Sequence, residues 1–201
     1  MAHRSTAADA NGQSPDRALR ADAQRNRARV LEVAAEIFAT EGLSVPVHEI
    51  ARRAGVGTGT VSRHFPTKEA LFAAILLDRM KQLTGQADAL AETHDAATTF
   101  FTLFATLVHE GAAHRGLAEA LCGGGYDLDA AAARAGYDVS GRLRTMLAAA
   151  QEAGTIRADI TYADVKALMA GCLSRDVDDT DDIALNRLIA VVCDGLRTRP
   201  S

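Results

Sequence analysis

An all-α fold is what this chain of 201 residues predicts, on three observations. Apolar residues recur at spacings of three and four through most of its length, the period of an amphipathic helix. Runs in which β-branched and polar residues alternate are missing, so no half-buried strand is written into it. The composition is 48% hydrophobic and rich in alanine, with 16 glycines, 4 prolines, no tryptophan and few aromatic residues, which favours helices around a packed core. The length suits one domain or two small ones.

Residues 1–21 lack periodicity and read as a disordered arm. Arg17, Arg20, Arg25, Arg27 and Arg29 gather at its end and beyond it. They suit either a contact to DNA phosphate or minor groove, or a solvated charged tail. A first helix is expected from about Asp22 to Thr40, with Leu31, Ala34, Ala35 and Phe38 on one face and Glu41-Gly42 at its end.

Val47–Phe65 reads as two short helices joined at a tight corner. Ile50, Ala51 and Ala54 form the apolar stripe of the first, and Pro46 suits its first helical position, although Val45 is a poor cap before it. Gly55 reaches a left-handed conformation cheaply and ends that helix. The small Ala51 allows close approach, and Val61 plugs the angle. Residues 46–65 therefore have the arrangement of a helix-turn-helix, although an ordinary helical hairpin satisfies the same spacing. As a helix-turn-helix, the second helix lies in the DNA major groove, with Thr58, Thr60, Ser62 and Arg63 outward and Val61 and Phe65 inward. His64 is either a phosphate donor or half-buried packing.

Thr67 caps a fourth helix, expected from Lys68 to about Thr84, with Phe72, Ile75, Leu76, Met80 and Leu83 at helical spacing. Lys68 sits in its first turn, where the helix dipole disfavours a cation. A phosphate bound there would be held by the helix N-terminus and the ammonium together; a solvated surface lysine is the plainer alternative.

GVGTGTVSRHFPTKEALF, Gly55–Phe72, resembles the TetR family of bacterial transcriptional repressors. The family's aromatic turn after the recognition helix matches His64-Phe65, its linker Pro66-Thr67, and its Lys-Glu and apolar helix Lys68–Phe72. AAEIFATEGL, Ala34–Leu43, is similar to its first helix and glycine stop, and the resemblance spans about Arg27 to Met80. Ser62 stands where the family usually has a Tyr that touches the DNA backbone, and Val45 where it often has a Thr cap. The resemblance implies an N-terminal DNA-binding domain of three helices over residues 22–84 and a C-terminal helical ligand-binding and dimerisation domain over 85–201. It also implies a cytoplasmic homodimeric repressor that binds double-stranded DNA at a palindromic operator and leaves it when a small-molecule inducer binds.

Gly85–Thr93 reads as the exit from the DNA-binding module. A helix from about Asp95 to Glu110 carries Phe100, Phe101, Phe104, Leu107 and Val108; Gly116–Cys122 is a short helix broken by Gly123-Gly124-Gly125. One or two helices are expected over Asp127–Ala153, stopped by Gly154. Ala149–Ile160 resembles a corner of TetR-like ligand domains. Helices follow over Asp164–Leu173 and Ile183–Leu196, separated by an acidic solvated loop over Arg175–Asp182. Phe100, Phe104, Val108, Cys122, Tyr126, Leu143 and Met146 are candidates to line an apolar ligand pocket, with ordinary core packing as the alternative for each. Cys122, beside the triple glycine, lacks the cationic setting of a redox sensor and reads as inert packing. Family members pair two late helices per subunit into a four-helix bundle, which makes Leu168, Leu185, Leu188 and Val192 the dimerisation candidates.

The formal net charge is −4, unevenly distributed: residues 1–70 hold ten Lys/Arg against eight Asp/Glu, the remainder twelve against eighteen. An acidic C-terminal part leaves room for a local cationic face. No apolar run approaches the roughly 20 residues that span a bilayer, and no signal core opens the chain, so no membrane partner is expected. Cys122, Cys172 and Cys193, odd in number and widely spaced, read as reduced thiols. His109 and His114, five apart, do not share a helix face, no other set has metal-ligand spacing, and no cofactor is expected. Two rivals remain: a dimeric DNA-binding protein without a ligand, and an all-α enzyme, for which no nucleophile–base pair is assembled in sequence.

Overall fold

The structure, a computed structural model, describes residues 15–174 and 182–198. Ten helices are present among them: α1 Pro15–Glu41, α2 Val47–Ala54, α3 Thr58–His64, α4 Lys68–Thr93, α5 Ala96–Ala113, α6 Arg115–Cys122, α7 Leu128–Arg134, α8 Val139–Glu152, α9 Tyr162–Leu173 and α10 Asp182–Leu196. None is long and apolar enough to cross a membrane. Of the expected arm, residues 1–14 lie outside the described residues, and 15–21 are helical. The Ala- and Arg-rich stretch favours helix, and Pro15 sits at the first position, where its missing N–H costs nothing. The acidic loop at 175–181 lies outside the described residues as well.

The apolar side chains form two clusters. The first joins α1, α2, α3 and the start of α4 around Phe38, Ile50, Val61, Leu71 and Phe72. Leu117 and Leu121 of α6 belong to it too, so the N-terminal core takes a helix from beyond the expected boundary at residue 84. The second cluster lies between α5, α8, α9 and α10, with Phe100, Phe104, Val108, Leu143 and Ile156 fully buried.

Helix α4 enters both. Leu71, Phe72, Ile75 and Leu76 pack in the first cluster, and Ala87 in the second. The expected exit at Gly85–Thr93 is therefore continuous helix. Nothing lies within 4 Å of where a Cβ on Gly85 would stand. A lone glycine costs a helix only about 1 kcal/mol, less than burial on either side returns.

The ends are set locally. Thr67 Oγ1 accepts the Ala70 N–H at 3.1 Å and starts α4. Asp95 Oδ1 accepts the N–H groups of Ala97 and Thr98, both at 3.0 Å, and starts α5. Thr161 and Asp164 form a reciprocal capping box on α9. Pro46 is the extended residue before α2 rather than its first helical residue. Gly154, at φ +69°, closes α8. An isolated antiparallel bridge between Ile156 and Arg197 ties the following corner to the end of α10.

Phe72 is 6% exposed and meets Phe38 edge to face at 5.1 Å. Phe72→Ala should lower unfolding stability by about 3–5 kcal/mol in urea titration. A loss below 1 kcal/mol would show that the first cluster does not hold this half together.

Candidate nucleic-acid interface

The corner between α2 and α3 is built from three features. Gly55 adopts φ +67° and ψ 32°, and its N–H turns back to the carbonyls of Ala51 and Arg52. Ile50, Ala51 and Ala54 are buried on the α2 side. Val61 is the buried residue of α3, so this seven-residue helix is held from one face. The opposite face is open: Thr58, Gly59, Ser62, Arg63 and His64 are exposed and Thr60 is half-buried. Phe65, which ends α3, is 5% exposed. Five of the six candidates therefore lie on α3, four of them exposed, and Lys68, half-buried, stands in the first turn of α4.

The cations around this edge divide by what already holds them. Arg52 Nε donates to Glu49 Oε2 at 2.8 Å, and Arg53 Nε to Glu49 Oε1 at 2.7 Å. Arg53 also reaches Glu41 at the end of α1. Hydrogen bonds from Arg52 and then Arg53 hold the Glu49 carboxyl down at about 2, against a small opposing effect of burial. These exposed pairs add little stability; they orient α2 against α1. Arg25 pairs with Asp22. No side-chain hydrogen bond or ion pair holds Arg63 among the described residues. Lys68 packs with Nζ 5.7 Å from the Phe38 ring centroid.

Arg27, undecided in the sequence, gains a position here. Its guanidinium lies 5.5 Å from the Phe65 ring centroid, a cation–π distance, which puts a charge beside the end of α3. Gly59 is the residue sequence reasoning missed. It exposes bare backbone on the open face, with nothing within 4 Å of a Cβ built there. Its signal was available, since a glycine inside so short a helix costs stability that the chain itself does not explain.

The pocket candidates fare differently. A cavity of about 640 Å³ lies among α4, α5, α7, α8 and α9, but of the seven residues only Leu143 lines it. Phe100, Phe104 and Val108 are fully buried on the face of α5 turned to the second core. The cavity takes the adjacent face, Leu107, Glu110, Gly111 and His114. Met146 borders a different indentation between α4 and α8. Tyr126 packs on the first cluster, and Cys122 is exposed rather than packed. Of the dimerisation candidates, Leu185 is core at 5% exposure, Leu168 and Val192 are half-buried, and Leu188 is exposed.

An open polar helix on a buried apolar anchor, preceded by a glycine corner, is the arrangement of the helix-turn-helix class of DNA-binding proteins. Comparison with known proteins gives the family. Residues 30–75 match the bacterial regulatory proteins of the tetR family, and residues 95–198, more than half the chain, match the C-terminal domain of SbtR-like transcriptional regulators. The TetR transcription regulatory protein from Mycobacterium vanbaalenii is 47% identical, over 90% of this chain and 99% of that one, with a TM-score of 0.71. A TetR transcriptional regulator from Streptomyces coelicolor is 31% identical over 87% and 99%, with a TM-score of 0.70. An HTH-type transcriptional regulator of Staphylococcus aureus is 41% identical over 54 residues, 26% of this chain and 29% of that protein's length. The chain belongs to the TetR family of DNA-binding transcriptional regulators, which are not enzymes.

The Glu49 clamp has a measurable signature. Its folded pKa lies below the ordinary 4.5, so its contribution is present above 4.5 and is lost as the pH falls toward 2. Carboxyl NMR should place the Glu49 midpoint near 2, and Arg53→Ala should raise it. A midpoint unmoved by that substitution would remove Arg53 from the clamp.

Proposed function

We propose that the protein is a homodimeric repressor that binds a palindromic operator through α3 and releases it when a small molecule enters the cavity. The observation that carries this reading is the open face of α3, where Thr58, Ser62, Arg63 and His64 are exposed over a buried Val61. Arg63 suits a guanine edge or a phosphate, and Thr58, Thr60 and Ser62 suit bases or backbone. Lys68, with the N–H groups at the start of α4, suits a phosphate, and Arg27 and His64 flank the same edge. Gly59 lets the duplex approach the helix backbone. With Ser62 in place of a tyrosine, one phosphate contact is shorter or absent.

A single helix of seven residues reads few base pairs, which is the physical reason for pairing two copies. The surface supports α9 and α10 for this. Ile183 and Val191 of α10 are 70% and 64% exposed, with Leu188 between them at 38%. Beside them α9 exposes the small residues Ala163, Ala167, Ala170 and Gly171. Large apolar side chains next to a small-residue face suit a second copy of the same pair of helices, which the two-fold axis brings opposite. The dimer contacts proposed here are Ile183, Leu188 and Val191, with Leu185 left to the core. The setting is the cytoplasm, where operator DNA lies.

The ligand reading rests on the cavity. A filled interior would favour a dimer without an effector, whereas about 640 Å³ of mostly apolar space lies within the range of small-molecule sites. An effector favouring a conformation with mis-spaced recognition helices weakens DNA binding by the same factor that DNA weakens effector binding.

Selection of bound fragments from genomic DNA should recover a palindrome. On that duplex Arg63→Ala should weaken binding about tenfold or more, and Lys68→Ala should flatten the salt dependence of log K by about one unit. Unchanged affinity and slope would sink the placement of α3. Val191→Asp should give monomers by light scattering with weakened operator binding; a variant still dimeric would put the interface elsewhere.

A further inference from the structure

The cavity has a polar patch that its apolar lining does not explain. Glu110 and His114 lie one turn apart at the end of α5, and both line the space. The His114 side chain is 10% exposed, and its Nε2 stands 3.4 Å from Glu110 Oε2, near enough for attraction but too far for a well-made hydrogen bond. Two atoms, Glu110 Oε2 and His114 Nδ1, are buried without a hydrogen-bond partner. Buried polar atoms are nearly always paired, and unpaired ones point to a function or a bound group.

The chemistry of the pair sets what it can take. The neighbouring His114 ring holds the Glu110 carboxyl below its ordinary range, against burial, with Arg79 assisting at longer range. Glu110 is therefore ionised at neutral pH and only accepts hydrogen bonds. With Nε2 turned to that carboxylate, Nδ1 is the ring nitrogen left for a bound group, and on a neutral ring it accepts. The cations lining the cavity already have company. Arg79 donates to Gln82 at 2.9 Å, Arg144 stacks 4.6 Å from the Tyr162 ring centroid, and Lys166 lies 3.7 Å from Asp129. Acceptors are unmet while the cations are engaged.

We propose that this cavity takes a small, mostly hydrocarbon molecule that presents an O–H or N–H donor to Glu110 and His114. The inference rests on the cavity being the effector site of the regulator described above. His114 also gives the bound molecule a route to the DNA-binding half. It ends α5 and precedes α6, and its carbonyl accepts the Ala118 N–H at 3.0 Å. Helix α6 then sends Leu117 and Leu121 into the first core. A donor that draws on His114 pulls on the helix that packs against α4 in the first core.

Isothermal titration calorimetry on the full chain tests this with four probes on one frame: naphthalenemethanol, naphthylmethylamine, the methyl ether of the alcohol, and naphthoate. The alcohol or the amine should bind about tenfold or more tighter than the ether and the acid. His114→Phe should erase an alcohol preference, and Glu110→Gln should cost the amine more than the alcohol. The unsubstituted protein alone decides if a variant does not fold. An ether bound as tightly as both donors, a preference for naphthoate, or no binding of any probe at its solubility limit would each overturn the proposal. Fragment selection on DNA is read separately. A chain that recovers no DNA yet prefers the donors loses the regulator reading and keeps the anchor. One that recovers a palindrome without donor preference keeps the regulator reading and loses the anchor.

Discussion

Helix α4 cannot move at one end without moving at the other. It has 26 residues, about 39 Å at 1.5 Å per residue, and it is buried in two apolar clusters at once. Its first turn is pinned by the Thr67 cap, three residues after α3 ends. Its middle, through Leu76, Arg79, Met80 and Leu83, forms a wall of the cavity. A close-packed interior transmits displacement rather than absorbing it. A change in cavity shape that shifts α4 therefore also shifts the support on which α3 stands. Helix α6 is a second such link, shorter and set from the corner at His114.

The DNA-binding half divides its charges in a way that follows from this rigidity. Arg52 and Arg53 are held by Glu49 and Glu41, which sets the angle of α2. Val61 and the left-handed Gly55 then set α3 against α2. Arg27 and Lys68 instead lie over the Phe65 and Phe38 rings, which suits the DNA contact proposed for this edge. The net charge of −4 does not oppose this, because the surplus of carboxylates belongs to the residues after 70.

Much of the fold was legible because its signals are local. The glycine corner, the buried Val61, the Thr67 cap and the stop at Gly154 each depend on residues within a turn of one another. The family followed from the same run, Gly55–Phe72. What was not legible depends on contacts distant in sequence. Gly85 looked like an exit, but Ala87 and Leu83 are buried on either side and carry the helix through it. Leu117 and Leu121 gave no sign that they would join the N-terminal core. Phe100, Phe104 and Val108 suit an apolar pocket or a core equally in sequence, and such residues are what a core takes first. The cavity fell to the neighbouring face, where Leu107 and Gly111 alternate with Glu110 and His114. Leu185 and Val191 are both apolar positions of one helix, and only the packing of α10 against α5 and α9 separates core from open surface.

Operator binding by this protein requires α3 to be the element that enters DNA. The most direct test is an amide chemical-shift map of the labelled protein on titration with a duplex that it selects. The largest changes should fall on residues 57–68 and on Arg27, with smaller ones along the rest of the first half of α4. Changes confined to α5 through α10, with α3 unmoved, would contradict it.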